Sequence, residues 1–260
     1  MRSAAATTTI LSIPIDDVTL DDVIEHVSGW IEHEPQRLHQ IVTTNPEFLV
    51  EARRNAPFRE VLTAADLATA DGIGVLIAAR MLGRPLRARV TGVELVEALA
   101  ARHDPKLRLF LLGAGPGIAE RAADILHRRF PSVIISGVWE GSPEPADAPE
   151  ILRRVREAEA TILLVAYGAP KQDIWIDQQR ESLAECGIVV ALGVGGTFDF
   201  LAGAVPRAPR FIRRIGLEWL YRLVRQPWRW RRQLALPFFV LLVLLQRLRP
   251  NHFDHQERAW

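Results

Sequence analysis

Seven short apolar runs alternate with stretches of helical spacing, and that alternation leaves few folds open to the chain. The runs are Thr9 to Ile13, Leu38 to Thr43, Asp66 to Ala70, Leu107 to Leu112, Val133 to Val138, Thr161 to Ala166 and Ile188 to Gly193. Helical spacing covers Asn45 to Arg53, Gly72 to Met81, Thr91 to Arg102, Pro116 to Arg129, Asp147 to Glu157 and Pro170 to Leu183, several opening with Pro or an Asn, Thr or Asp cap. Runs such as IVVALGV are apolar on both sides, as strands covered on both faces must be. The expectation is an α/β fold, a mainly parallel sheet with helices on both faces. Trp139 to Pro149, with three prolines and three acids, is read as a surface excursion, a mobile lid being the alternative.

Charge divides the chain where periodicity does not. From Arg207 to Pro250 there are eleven arginines against the single acid Glu218, a balance of +10 that leaves −9 for the rest of a chain whose net charge is +1. The expected organisation is therefore a body, residues 1–206, and a basic, apolar and helical appendage, residues 207–260, that meets something anionic. Arg222, Arg225, Arg229 and Arg232 recur at helical spacing among Trp219, Tyr221, Trp228 and Trp230, although Pro227 interrupts the pattern. Leu234 to Leu245 then gives twelve apolar residues including Pro237, too few to span a bilayer, which needs about 20. Arginine, Trp and a short apolar run together suit a membrane surface, and the apolar run argues against nucleic acid. A buried core helix or a dimer seam would use the same run. The lone Cys186 and a first fifteen residues without a continuous apolar core point to a cytosolic, reducing setting.

Polar stretches end five of the strands. Asp71 closes Asp66 to Ala70 and precedes Gly72 and Gly74, so it stands at the mouth of a strand-to-helix turn, either as a chemical group or as a helix cap. In VTTNPE, Asn45 before Pro46 reads as a cap, which leaves Thr43 and Thr44 less explained. GAGPG, residues 113–117, reads equally as a tight turn or as a phosphate contact, for it departs from G-x-G-x-x-G and no acid ends the next strand. YGAPKQD places Lys171 and Gln172 in a first helical turn, where a cation suits a nearby anion. GVGGTFDFLAG sets Phe198 and Phe200 around Asp199 after three glycines.

Taken in order, TTNPEF, TADGIGV, RVTG, LFLLGAGPG, YGAPKQD, GVGGTFDFLAG, RAP and GLEWLYRL resemble the WecG/TagA/CpsF glycosyltransferases, family 26, from about Thr9 to Arg232. The resemblance implies a Rossmann-like core with a C-terminal membrane-docking appendage. It implies transfer of an N-acetylmannosamine-type or related hexose from a UDP-sugar to a polyprenyl-diphosphate-linked saccharide, with inversion and no required metal or cofactor. The setting it implies is the cytoplasmic, inner face of the membrane during cell-surface polysaccharide synthesis, with homo-oligomerisation left open. Asp71 is then the catalytic base, and Thr43, Asn45, Arg89 and Gln172 line its pocket. Gly113, Gly115, Gly168, Gly195 and Gly196, with Asp199, border the nucleotide, while Arg207, Arg222 and Arg225 meet diphosphate. Glu94, Arg210 and Gln226 depart from the family's usual residues.

The chemistry agrees with these roles. An acceptor hydroxyl is a poor nucleophile until its proton is taken, and a positioned carboxylate contributes about 10² to 10⁴ in rate. No D-x-D occurs to hold a divalent metal, so arginines and backbone amides are left to meet a departing diphosphate. Two rivals remain at this stage, a nicotinamide-dependent oxidoreductase built on GAGPG and a membrane-bound scaffold with a degenerate nucleotide site.

Overall fold

The computed structural model describes residues 6–209, 211–212, 218–225 and 234–248. The chain opens with β1 (Thr7–Ile10), β2 (Ile13–Asp16), α1 (Leu20–His33), β3 (His39–Thr44), α2 (Pro46–Glu51), α3 (Ala56–Ala64), β4 (Leu67–Ala70) and α4 (Ile73–Met81). It continues with α5 (Gly92–Ala101), β5 (Arg108–Gly113), α6 (Ile118–Arg129), β6 (Ile134–Trp139), α7 (Ala148–Glu157) and β7 (Ile162–Ala166). Then come α8 (Lys171–Gln178), α9 (Arg180–Glu185), β8 (Val190–Gly193), α10 (Thr197–Leu201), α11 (Glu218–Arg225) and α12 (Ala235–Leu248).

Six strands form one parallel sheet in the order β4-β3-β8-β7-β5-β6. All their carboxyl ends therefore share an edge, and the helices that follow begin there. One face packs on α1, α5, α6 and α10 through residues such as Val27, Leu95, Leu126 and Phe198. The other is covered in two parts, by the hairpin, α2, α3, α4 and α12 through Ile13, Leu49, Phe58, Val75 and Phe239, and by α7 to α9 through Ile151, Trp175 and Leu183.

Local sequence explains most boundaries. Thr19 and Asp22 exchange bonds in a capping box at the start of α1, and Asn45 and Asn55 each accept from the amide three residues on, with Pro in the first turn. Elsewhere the structure differs from the periodic reading. Thr9 to Ile13 is not one strand but two, because Leu11 and Ser12 turn at positive φ and fold β2 back on β1. The stretch from Pro170 to Leu183 breaks at Gln179 into α8 and α9. Pro237 falls in the first turn of α12, where a missing N–H costs nothing, so the apolar run continues as helix and packs on α2 and α4. From the acidic loop, Glu140 accepts a bond from the Gly117 amide at 3.0 Å.

The exposed edge of β4 is closed by Asp16, whose carboxylate accepts from the Ala68 amide at 2.7 Å. At the amino end of β4, buried Asp66 accepts from Arg37 (2.6 Å), the Gln40 amide (3.0 Å) and Arg180 (3.3 Å). Burial by itself would raise this carboxyl, but His39, the Gln40 amide, Arg180 and Arg37 together hold it at about 2.

A folded-state value below the unfolded one gives stability that is present above about pH 4 and lost as pH falls toward 2. Asp66→Asn should remove roughly 2 kcal/mol at pH 7 and flatten the acid limb of a urea-unfolding pH series between pH 4 and 2. An unchanged acid limb would show that Asp66 carries none of it.

Candidate active site

The carboxyl edge of β3, β4, β7 and β8 opens into a cavity of about 540 Å³. Its lining includes Thr43, Asn45, Asp71, Arg89, Gly168, Gln172, Gly195, Gly196 and Arg207, so nine of the side chains and glycines singled out from sequence meet in one place. Residues from the first turns of α2, α4, α5, α8 and α10, or just ahead of them, also line it. Helix N-termini carry partial positive charge, so the cavity favours an anionic ligand before any side chain is counted.

Asp71 is set by the β3–β4 register. Thr44 pairs with Ala70, and the Asp71 amide continues the ladder by donating to the Thr44 carbonyl at 2.8 Å. The following helix is capped by Gly72 at φ 113 with no side-chain cap, so capping does not account for Asp71. A Cβ on Gly74 would come within 2.9 Å of the Pro46 ring, and this closeness lets α4 start hard against α2. Asn45, by contrast, does cap α2, with its Oδ1 accepting from the Phe48 amide at 3.0 Å.

Arg89 reaches the same floor through two bonds to β4. The Val90 amide donates to Ala70, and Thr69 Oγ1 donates to the Val90 carbonyl at 3.0 Å. The Arg89 guanidinium then donates to Glu94 Oε1 at 2.9 Å, and Arg207 lies 4.0 Å from the same oxygen. Oε2 of Glu94 accepts from the amide and hydroxyl of Thr91 in the capping box of α5. One carboxylate thus anchors two cavity arginines to a helix start. Glu94 had drawn notice from sequence only as a departure from the family's residue. The available signal was a T-x-x-E box two residues after an arginine.

Gln172 does something the sequence did not reveal. Its Oε1 accepts from both the Gly168 and the Gly195 amides at 3.0 Å, tying the loop after β7 to the loop after β8. A Cβ on Gly193 would lie 2.3 Å from its Nε2, so only glycine leaves room for the clamp. Behind it Asp173 is fully buried, neither carboxyl oxygen meets a hydrogen-bond donor among the described residues, and that burial pushes the group up to about 7. Thr43 and Thr197 bring their hydroxyls toward the start of α5, 3.9 and 3.4 Å from where a Gly92 Cβ would stand.

The remaining expected residues lie elsewhere. Gly113 and Gly115 follow β5, two strands from β8 and therefore about 10 Å across the sheet. Gly113 packs against Tyr167, and neither glycine lines the cavity. Lys171 is exposed, and Asp199 in α10 is outside the lining while Phe200 is within it. Arg225 stands over the Tyr221 ring at 5.6 Å, outside the lining. The side chain of Arg222, and residues 210, 213–217 and 226–233 with their arginines and tryptophans, lie outside the described residues. Among the described residues no helix is long and apolar enough to cross a membrane, and no three His, Cys, Asp or Glu side chains cluster as metal ligands would.

The profile of the Glycosyl transferase WecG/TagA/CpsF family matches residues 8–253. An N-acetylglucosaminyldiphosphoundecaprenol N-acetyl-β-D-mannosaminyltransferase of Bacillus spizizenii is 36% identical over 232 residues, covering 86% of this chain and 88% of that one. Proteins of the same name from Bacillus subtilis and Staphylococcus aureus are 30% and 31% identical over 249 and 243 residues, covering 95% and 92% of this chain and 94% and 92% of theirs.

Gln172→Leu keeps the bulk of the clamp and removes its oxygen, so two half-buried amides lose their acceptor at about 1 kcal/mol each. The expected result is that loss of stability with faster hydrogen exchange at Gly168 and Gly195. Unchanged exchange at both would refute the clamp.

Proposed function

Since the chain belongs to the WecG/TagA/CpsF family of glycosyltransferases, we propose that it moves an N-acetylmannosamine-type hexose from UDP to a hydroxyl of a polyprenyl-diphosphate-linked saccharide. In this reading the reaction inverts the anomeric carbon and requires no metal. One observation carries it: a carboxylate at the end of β4 shares a cavity with two arginines held on a single glutamate.

Asp71 takes the proton of the attacking hydroxyl as the new C–O bond forms. The bond from the anomeric carbon to the UDP oxygen breaks on the opposite side, and its electron pair leaves with the diphosphate. Arg89, Arg207 and the leading amides of α5 are the positive groups on the cavity wall that can meet that charge. Because Arg225 stands outside the cavity, the diphosphate contact expected of the appendage falls first on Arg207. Gly168, Gly195 and Gly196 let the donor approach the backbone beside Gln172. Asn45, its carbonyl oxygen spent on the cap, keeps its amide N–H groups for a sugar hydroxyl.

Supporting inversion, the relatives' names speak of a β-D-mannosaminyl product, and single displacement on an α-linked nucleotide sugar gives a β linkage. A carboxylate at the end of β4 beside two arginines suits single displacement better than a covalent glycosyl-enzyme, with Glu47 the other acid in the lining. An acceptor carrying a polyprenyl chain places the enzyme at the membrane, peripherally and on the face where UDP-sugars are found.

Asp71→Asn is expected to bind UDP-N-acetylmannosamine as the unaltered protein does and to lose transfer by at least about 10²-fold. Near-normal turnover rejects the base. In the same assay, NMR of the product should give the inverted anomer, and retained configuration would overturn single displacement.

A further inference from the structure

Helix α4, IGVLIAARM, carries a single charged residue, Arg80, in its last turn. Val75, Ala78 and Ala79 are buried in the core, yet on another side Ile73 and Ile77 are 37% and 52% exposed, where a surface helix ordinarily carries charge. Opposite stands α12 with the same character: Phe239 and Val243 are buried while Val240 is 51% exposed. Both helices line the cavity, Ile73, Ile77 and Met81 from α4 and Leu236, Val240 and Val243 from α12. Arg89, Arg207 and Asp71 line that same continuous space. The cavity thus combines charged groups from beside β4 with aliphatic side chains from α4 and α12.

The position of α12 is fixed by a polar latch. Gln246, 9% exposed, accepts from the Leu11 amide at 2.9 Å and donates to the Thr9 carbonyl at 3.1 Å, so the helix is pinned to the β1–β2 turn. Aliphatic side chains offer a sugar or a uracil no hydrogen bond, and neither ligand would gain from lying between them. A ligand that suits both linings must carry hydrocarbon directly next to a strongly anionic group.

We propose that the aliphatic part, between α4 and α12, seats the first isoprene units of the acceptor, with the acceptor's diphosphate bridging back toward the arginines and its sugar at Asp71. This rests on the transfer to a polyprenyl-linked saccharide proposed above. Each unit that enters leaves water, while units beyond the walls contribute nothing further.

The test is kcat/KM with UDP-N-acetylmannosamine and synthetic N-acetylglucosaminyl diphosphates bearing one, three or five isoprene units, without detergent or vesicles. The native protein should gain roughly tenfold or more from one unit to three and little from three to five. Ile77→Glu and, on the facing helix, Val240→Glu should each bring the three-to-one ratio close to unity; both positions are half exposed, so the new charge need not be buried. Indifference of the native protein to chain length, or an undiminished ratio in both variants, overturns the proposal. Loss of vesicle binding in the variants with the ratio intact would make these walls a bilayer contact and would overturn it too. Transfer to no acceptor of any length would remove the transferase reading itself, and this inference with it.

Discussion

The pairing of β3 with β4 governs the chemistry of this molecule. Because Thr44 lies beside Ala70, the next amide bonds back across the ladder and Asp71 is delivered to the cavity at a fixed height. The segment after α4 is tied to the same strand through Val90, which fixes Arg89 beside it. A slip of one residue would turn every side chain of β4 to the opposite face and take both groups out of the cavity. The acid and its cationic neighbour are therefore set by backbone bonds, the least adjustable kind.

Around that floor the buried polar groups act as ties between loops rather than as ligands waiting for substrate. Gln172 joins two loops, Glu94 joins two arginines to a helix start, and Asp66 joins the amino ends of β3 and β4 to α9. The tie at Asp66 is charged and well compensated. The neighbouring carboxyl of Asp173 is the reverse case, buried and uncompensated, so its raised value costs stability progressively as pH climbs from about 4 to 7.

Much of this was legible in the chain, and the reason differs from element to element. The parallel sheet could be read because doubly covered strands leave unbroken apolar runs such as Ile162 to Ala166. Asp71, Asn45 and Gln172 stand together because they follow strands that share one edge, whereas Arg89, after α4, was brought to them only by the resemblance in the ordered motifs, which pointed to the family that the match over residues 8–253 then established. The hairpin was hidden because Leu11 and Ser12 adopt positive φ without glycine or asparagine to announce it. The double bond of Gln172 was hidden as well, since the sequence distance from Gly195 says nothing about a clamp that exists only after β7 and β8 pair. GAGPG read equally as a tight turn or a phosphate contact, and in the structure Gly113 lies against the Tyr167 ring, a packing need that no local pattern expresses.

The latch between Gln246 and the β1–β2 turn joins groups 235 residues apart. On a ribosome the turn emerges long before its partner, so one flank of the cleft stays open until α12 arrives. A chain cut ahead of α12 would leave the α2 and α4 side chains Leu49 and Val75 short of its cover, an oily scar of the sort that chaperones and proteases recognise.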